Sequence, residues 1–154
     1  EALAALPAKT QRWLNRSGPF EFRPVYPRDE LNPAKRPPHN QVWVRLVDGV
    51  GDDPNLHRAL LTYVSDFHLI GTTIFPHGLS YLSHDLQMAS LDHAIWIHRP
   101  FRADDWLLYA CDSPSASNGR GLARGGFYTR NGALVASTAQ EGLIRLISPT
   151  QVGA

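Results

Sequence analysis

Asp66 is a carboxylate placed where a helix disfavours one. It follows Tyr63-Val64-Ser65 in the stretch DPNLHRALLTYVSDFHLIG, residues 53–71. In the last turn of a helix the dipole opposes negative charge by ~0.3–1 kcal/mol. Taken alone, such a residue is more often a solvated helix end than a general base, but it is the first candidate for proton transfer. Asp92-His93 with Ser113 or Ser115 supplies the residue types of a Ser-His-Asp triad. Adjacent residues on a strand point to opposite faces, however, so Asp92 cannot orient His93 in the usual way. Ser90 lies in no G-x-S-x-G elbow, which argues against an α/β-hydrolase nucleophile. The seven histidines (His39, His57, His68, His77, His84, His93 and His98) form no H-E-x-x-H motif or Cys/His cluster. No metal site or cofactor is therefore expected, and His77 and His98 read as structural hydrogen-bonders. The glycines of GRGLARGG make no phosphate loop, because no helix follows them.

The elements that must position these groups are mostly strands. The exception is the helix over Asp53–Gly71, with Asp53 as N-cap, Pro54 at the first helical position and Gly71 as the stop. Leu56, Ala59, Leu60, Tyr63, Val64, Phe67 and Ile70 recur at helical spacing, and Leu61 widens the stripe. About seventeen residues at ~1.5 Å each give a rod of roughly 25 Å. Alternation predicts strands at Phe20–Tyr26 and Gln41–Val47, separated by a proline-rich charged loop. Pro76 and Gly78 oppose a continuous helix after Gly71. One long strand follows over Leu86–Arg99, with Met88, Ser90, Asp92, Ala94, Trp96 and His98 on one face. Three more run over Trp106–Cys111, Arg120–Arg130 and Ala133–Ile147, the last pair joined at Asn131-Gly132, a type I′ candidate. Trp96, Trp106, Tyr109 and Phe127 are expected in the core. One apolar helix before a run of long strands predicts an α+β fold, a curved antiparallel sheet wrapped around the helix.

Composition narrows the classes of function. The 154 residues suit one domain, and 43% hydrophobic with 19% charged residues is ordinary for a globular protein. A net charge of +1 argues against a nucleic-acid partner. No apolar run approaches the ~20 residues needed to span a bilayer, so no membrane partner is expected. Cys111 stands alone, which fits a buried thiol in a reducing compartment. The C-terminus lacks an S-K-L ending, and cytoplasmic localisation is expected. The chain opens on Glu1 rather than methionine, as a fragment or processed product would. Residues 1–19 read as a linker or N-terminal extension, 20–148 as the domain and 149–154 as a tail.

A more specific signal comes from five blocks: YVSDFHLI, FPHG, SLDHAIWIHRPFRADDWLLYACDSPSAS, GRGLARGGFY and LVASTAQEGLIR. From about Phe22 to Arg145 they resemble, in order, the C-terminal half of the acyl-CoA thioesterase II (TesB-like) family. Those enzymes carry two hotdog units in one polypeptide. The resemblance implies a hotdog fold here, and hydrolysis of medium- to long-chain acyl-CoA thioesters to fatty acid and coenzyme A. It also implies a second hotdog unit as partner, either a missing N-terminal half or another copy in a homo-oligomer. The family's catalytic aspartate, hydroxyl residue and glutamine carry over to Asp66, Ser90 and Gln140, with serine where some members have threonine.

The chemistry of those side chains suits the reaction. Thioester hydrolysis needs a held water, a group to take its proton and donors that fix geometry. Asp66 can accept the proton, and Ser90 and Gln140 can each donate and accept. Arg99, Arg120 and Arg124 are candidates for the phosphates of coenzyme A, with solvated strand positions as the plainer reading. Two other functions stay open: a non-catalytic acyl-binding half that needs a partner unit, and a hotdog acyl-CoA hydratase. A hydratase wants a histidine paired with a carboxylate at the helix end. His68, two residues after Asp66, is poorly placed for that on a helical face.

Overall fold

The computed structural model describes residues 18–147. Most of the expected N-terminal extension and the expected tail at 149–154 therefore lie outside the described residues. Two strands open the chain, β1 (Phe20–Pro24) and β2 (His39–Leu46), followed by helix α1 (Pro54–Ser65) and a 3-10 helix (Ile70–His77). Then come β3 (Leu86–Ser90), β4 (Ala94–Ile97), β5 (Leu107–Ser117), β6 (Arg120–Thr129) and β7 (Leu134–Leu146). All strand pairs are antiparallel, in one sheet of order β1-β2-β5-β6-β7-β3, with β4 also on β7. The class is α+β, as expected.

Alternating side chains give the sheet its buried face: Val42, Val44 and Leu46 from β2, Leu107, Tyr109 and Cys111 from β5, Ala123 and Phe127 from β6. Leu61 and Val64 of α1 and Leu69 after it pack onto that face in a single apolar cluster. The outer side of α1 is open, with Tyr63 58% and Leu56 41% exposed. The sheet thus covers one side of the helix and leaves the other open.

The helix starts as expected, with Asp53 accepting from the Asn55 N–H at 2.9 Å and Pro54 in the first turn. It stops earlier than expected, after 12 residues, or roughly 18 Å. Asp66 caps it, His68 takes a left-handed φ of 65°, and the chain re-enters as the 3-10 helix. Tertiary contacts override the helical period here. Phe67 stacks on Phe22 with ring centroids 5.7 Å apart, and Ile70 sits over Gly142 of β7. Gly71 is therefore not the stop; Gly78, at φ 66°, ends the 3-10 helix.

The strand expected over Leu86–Arg99 is broken. Ser90 pairs with Gly142, whereas Ala94 pairs with Ala139, so the register slips by one residue at Leu91–His93. The N–H groups of Leu91 and Asp92 both reach the carbonyl of Glu141, at 2.9 and 3.4 Å, which is the signature of a β-bulge. Trp96, beyond the break, is 53% exposed rather than in the core, while Tyr109 and Phe127 are buried and stacked 3.9 Å apart. Trp106 lies at the surface end of β5, with Arg23 and Arg45 over its ring.

The hairpin turns also differ from expectation. Asn118 (φ 51°) and Gly119 (φ 71°) join β5 and β6 with both central residues left-handed, as a type I′ turn requires. At Asn131-Gly132 only Gly132 is left-handed, and the loop is longer, closed by the Thr129 N–H on the Ala133 carbonyl. β5 runs on through the polar segment to Ser117, with Pro114 in a register shift between Asp112 and Ser115 that spares the ladder.

Gly142 is where the sheet meets the returning chain. A Cβ there would overlap Ile70 Cδ1 and lie 3.2 Å from the Ala89 carbonyl oxygen. Gly142→Ala should therefore cost about 1–3 kcal/mol in urea unfolding. An unchanged unfolding midpoint would show that Ile70 is not seated as described.

Candidate active site

Asp66, Ser90 and Gln140 come from three elements and meet at the end of α1. Asp66 is the C-cap of the helix, Ser90 is the last residue of β3 before the bulge, and Gln140 is mid-β7, 1% exposed. Ser90 Oγ donates to Asp66 Oδ1 at 3.1 Å, and Gln140 Nε2 donates to the same oxygen at 2.5 Å. A carboxylate can only accept, so the amide of Gln140 must turn its Nε2 toward Asp66. Both bonds fall on Oδ1, and Oδ2 accepts none among the described residues. The trio lines an open cleft of about 600 Å³, walled by Thr62, Tyr63 and Phe67 on the helix side and by Leu91 and His93 on the sheet side. The geometry offers one oriented carboxylate oxygen at the mouth of a half-apolar groove.

The helix end is held from below. Tyr109 Oη donates to the Ser65 carbonyl at 2.8 Å and lies 2.9 Å from Thr138 Oγ1, all three groups buried. Burial pushes the Tyr109 hydroxyl well above its ordinary pKa, which keeps it a neutral donor. Ser65 Oγ lies 2.8 Å from His93 Nε2. Neither Tyr109 nor Ser65 was a candidate from sequence. The only clue there was the alternation of β5, which marks Tyr109 as inward but says nothing of its hydroxyl.

Asp92 belongs to the bulge rather than to the trio's hydrogen bonds. Its Oδ1 accepts the Glu141 N–H at 2.7 Å, so it pins β7 beside Gln140. The break removes the expectation that Ser90 and Asp92 share a face of one strand. No triad forms from Asp92-His93, because Ser113 Oγ donates to the Leu122 carbonyl at 2.9 Å and His93 turns to Ser65. His68 packs on Phe22, 4.9 Å between ring centroids, and burial holds its pKa below the ordinary histidine value. It makes no hydrogen bond to Asp66, contrary to the hydratase arrangement. His98 does bond, to Ser137 Oγ at 2.9 Å. The three arginines weighed as phosphate ligands have partners: Arg99 on the Leu134 carbonyl, Arg120 on Glu141 and Arg124 on Asp112. Cys111 is buried, and desolvation raises its thiol pKa. Among the described residues no three His, Cys, Asp or Glu side chains gather as metal ligands.

A curled antiparallel sheet laid on one helix is the hotdog fold, and here it carries a hydrogen-bonded carboxylate at the helix end. The sequence model of the acyl-CoA thioesterase family matches residues 12–143, and the chain belongs to that family. It is 41% identical over 127 residues to acyl-CoA thioesterase 2 of Haemophilus influenzae, covering 82% of this chain and 44% of that protein. To acyl-coenzyme A thioesterase 8 of Homo sapiens it is 40% identical over 129 residues, covering 83% of this chain and 40% of that protein. The crystal structure of acyl-CoA thioesterase II TesB2 from Mycobacterium marinum matches with a TM-score of 0.69 and 42% identity. That match covers 94% of this chain and 54% of the other. The chain thus spans about half the length of these relatives, or less.

The two aspartates can be separated by stability. Asp92→Ala removes the acceptor of the Glu141 N–H and should cost about 1 kcal/mol. Asp92→Asn keeps an amide oxygen in its place and should cost less. Both are read by thermal melting, and equal, negligible losses would deny Asp92 its structural role.

Proposed function

We propose that this chain is the catalytic half of an enzyme hydrolysing acyl-CoA thioesters of medium to long acyl chains, with Asp66 as general base. The observation that supports this most is the double hydrogen bond on Asp66 Oδ1, which leaves Oδ2 to take a proton. In this reading a water in the cleft attacks the thioester carbonyl carbon while its proton passes to Oδ2. The tetrahedral intermediate then expels the thiolate, which recovers that proton from Asp66. The products are the fatty acid and free coenzyme A, and no acyl-enzyme forms. Gln140 has a second Nε2 hydrogen for the water oxygen, and Ser90 keeps its lone pairs after donating. No metal or cofactor enters the scheme. A lone buried thiol supports a reducing compartment, and we place the enzyme in the cytoplasm.

The partner in this proposal is a second hotdog unit, as a further half of the same polypeptide or as another copy. Two observations support it: the chain covers 44% and 54% of two relatives, and α1 exposes Leu56 and Tyr63 along the side the sheet leaves open. Sedimentation of this chain alone should show an assembly larger than the single unit, and a stable, active single hotdog unit would contradict the proposal.

Thiol release from an acyl-CoA, followed with a thiol-trapping dye, tests the activity directly. Asp66→Asn should lower kcat by roughly 10²–10⁴-fold without unfolding the protein. Ser90→Ala and Gln140→Ala should each impair turnover, and either combined with Asp66→Asn should be far from additive. A chelator should leave the rate unchanged. Near-normal turnover in folded Asp66→Asn would overturn the assignment of the base, and failure of the unaltered assembly to release thiol would favour an acyl-binding half.

A further inference from the structure

Ser65, the residue before Asp66, is fully buried at the end of α1 and held at both its side chain and its carbonyl. Its Oγ donates to the Thr62 carbonyl at 2.8 Å and so accepts from His93 Nε2, also at 2.8 Å. Its own carbonyl belongs to the last turn, where helix carbonyls have no intrahelical partner. A buried carbonyl needs a donor, and Tyr109 Oη supplies it from β5 at 2.8 Å. A phenol has one hydrogen to give. With that hydrogen on Ser65, the 2.9 Å contact between Tyr109 and Thr138 Oγ1 has one direction, and Thr138 donates.

This relay from Thr138 through Tyr109 to Ser65 starts on the strand that carries Gln140. Thr138 and Gln140 stand two residues apart on β7, both buried on the inner face of the sheet. Tyr109 reaches Thr138 by crossing β6 at Gly125, which pairs with Cys111 on one side and Thr138 on the other. A Cβ on Gly125 would overlap the Tyr109 ring and lie 2.8 Å from Thr138 Oγ1. Phe127 stacks on the same ring at 3.9 Å, so the ring has one seat. We propose that Tyr109 is a positioning residue for Asp66: its hydroxyl, directed by Thr138, ties the backbone beneath the carboxylate to β7. One strand then sets both supports, Gln140 on Asp66 Oδ1 and Thr138, through Tyr109, on the residue before Asp66. The carboxylate and its amide donor are thereby held to a common reference. A misplacement of about 1 Å at a reacting group can cost ~10²-fold in rate.

Tyr109→Phe keeps the ring and its stacking and removes only the hydroxyl. Only the kinetic arm rests on the hydrolase reading. On the assembled enzyme, Tyr109→Phe should lower kcat about tenfold with KM little changed. Thr138→Ser, which keeps the donor, should retain turnover, and Thr138→Val should lose part of it. In an Asp66→Asn background, Tyr109→Phe should cost almost nothing further, because Tyr109 acts through Asp66. A purely structural tyrosine gives a lower melting temperature with kcat unchanged, or costs that add, and either result would overturn the proposal. If Tyr109→Phe folds poorly because the Thr138 hydroxyl is left buried, the Tyr109→Phe/Thr138→Val pair removes both groups and carries the same test. Amide hydrogen exchange decides the matter independently of activity. The Phe67 N–H closes α1 on the Val64 carbonyl at 3.0 Å. In Tyr109→Phe it should exchange on the order of tenfold faster, while the Leu61 N–H in the middle of the helix holds its rate. Unchanged protection at Phe67 would overturn the proposal even if thioester cleavage fell. Faster exchange there, with no thiol release by the unaltered assembly, would instead fault the hydrolase reading alone.

Discussion

The site depends on a negative charge being held at the negative end of a helix. The dipole opposes Asp66 by ~0.3–1 kcal/mol, while a hydrogen bond to a charged group contributes about 1.5–3 kcal/mol. Two such bonds, from Ser90 and Gln140, more than offset the unfavourable placement. They also choose which oxygen is left. Because both land on Oδ1, the carboxylate is at once compensated and oriented. Everything else near the cleft serves to bring two donors from two strands to that oxygen.

That convergence needs a fault in the sheet. An unbroken strand from Leu86 to Arg99 would carry one register along the whole of β7. The bulge at Leu91–His93 ends the first register at Ser90 and starts the second at Ala94. Asp92 locks it by accepting the Glu141 N–H, so the residue beside Gln140 is held by a side chain as well as by the two bulge bonds on its carbonyl. On the helix side, Tyr109 holds the Ser65 carbonyl from the sheet, one residue before Asp66. Helix end and strand break are thus each anchored next to the residue they present.

Much of this was legible in the sequence, and the omissions have physical causes. The α+β class followed from one amphipathic stripe among alternating strands, and the N-cap Asp53 and Pro54 marked the start of α1. The end was misplaced because Phe67 and Ile70 fit the helical period yet find better partners in Phe22 and Gly142. The bulge leaves only a faint local sign, the consecutive polar pair Asp92-His93, which interrupts the alternation within an otherwise regular strand pattern. Two Asn-Gly pairs compete as hairpin turns, and only the flanking register shows that Asn118-Gly119 is the tight one. Trp96 read as core because aromatic residues are usually buried, and it lies instead on the exposed side of β4. Asp66, Ser90 and Gln140 were recognisable together through family resemblance, whereas individually each is unremarkable. The hydroxyl of Tyr109 and the ring of His93 were invisible as supports, because their partners lie 44 and 28 residues away in the chain.

The central claim is that Asp66 activates water and does not itself attack the thioester. Single-turnover hydrolysis in ¹⁸O-labelled water, with enzyme in excess over acyl-CoA, distinguishes the two. Direct attack by water puts the label into the released fatty acid in the first turnover and none into the protein. Attack by the carboxylate would form an acyl–Asp66 anhydride, which adds the acyl mass to the Asp66 peptide in a rapid quench or, opened by water at the Asp66 carbonyl, releases an unlabelled acid and leaves ¹⁸O in that peptide. The account predicts a labelled acid and an Asp66 peptide with neither ¹⁸O nor acyl mass; either of these in the peptide would contradict it.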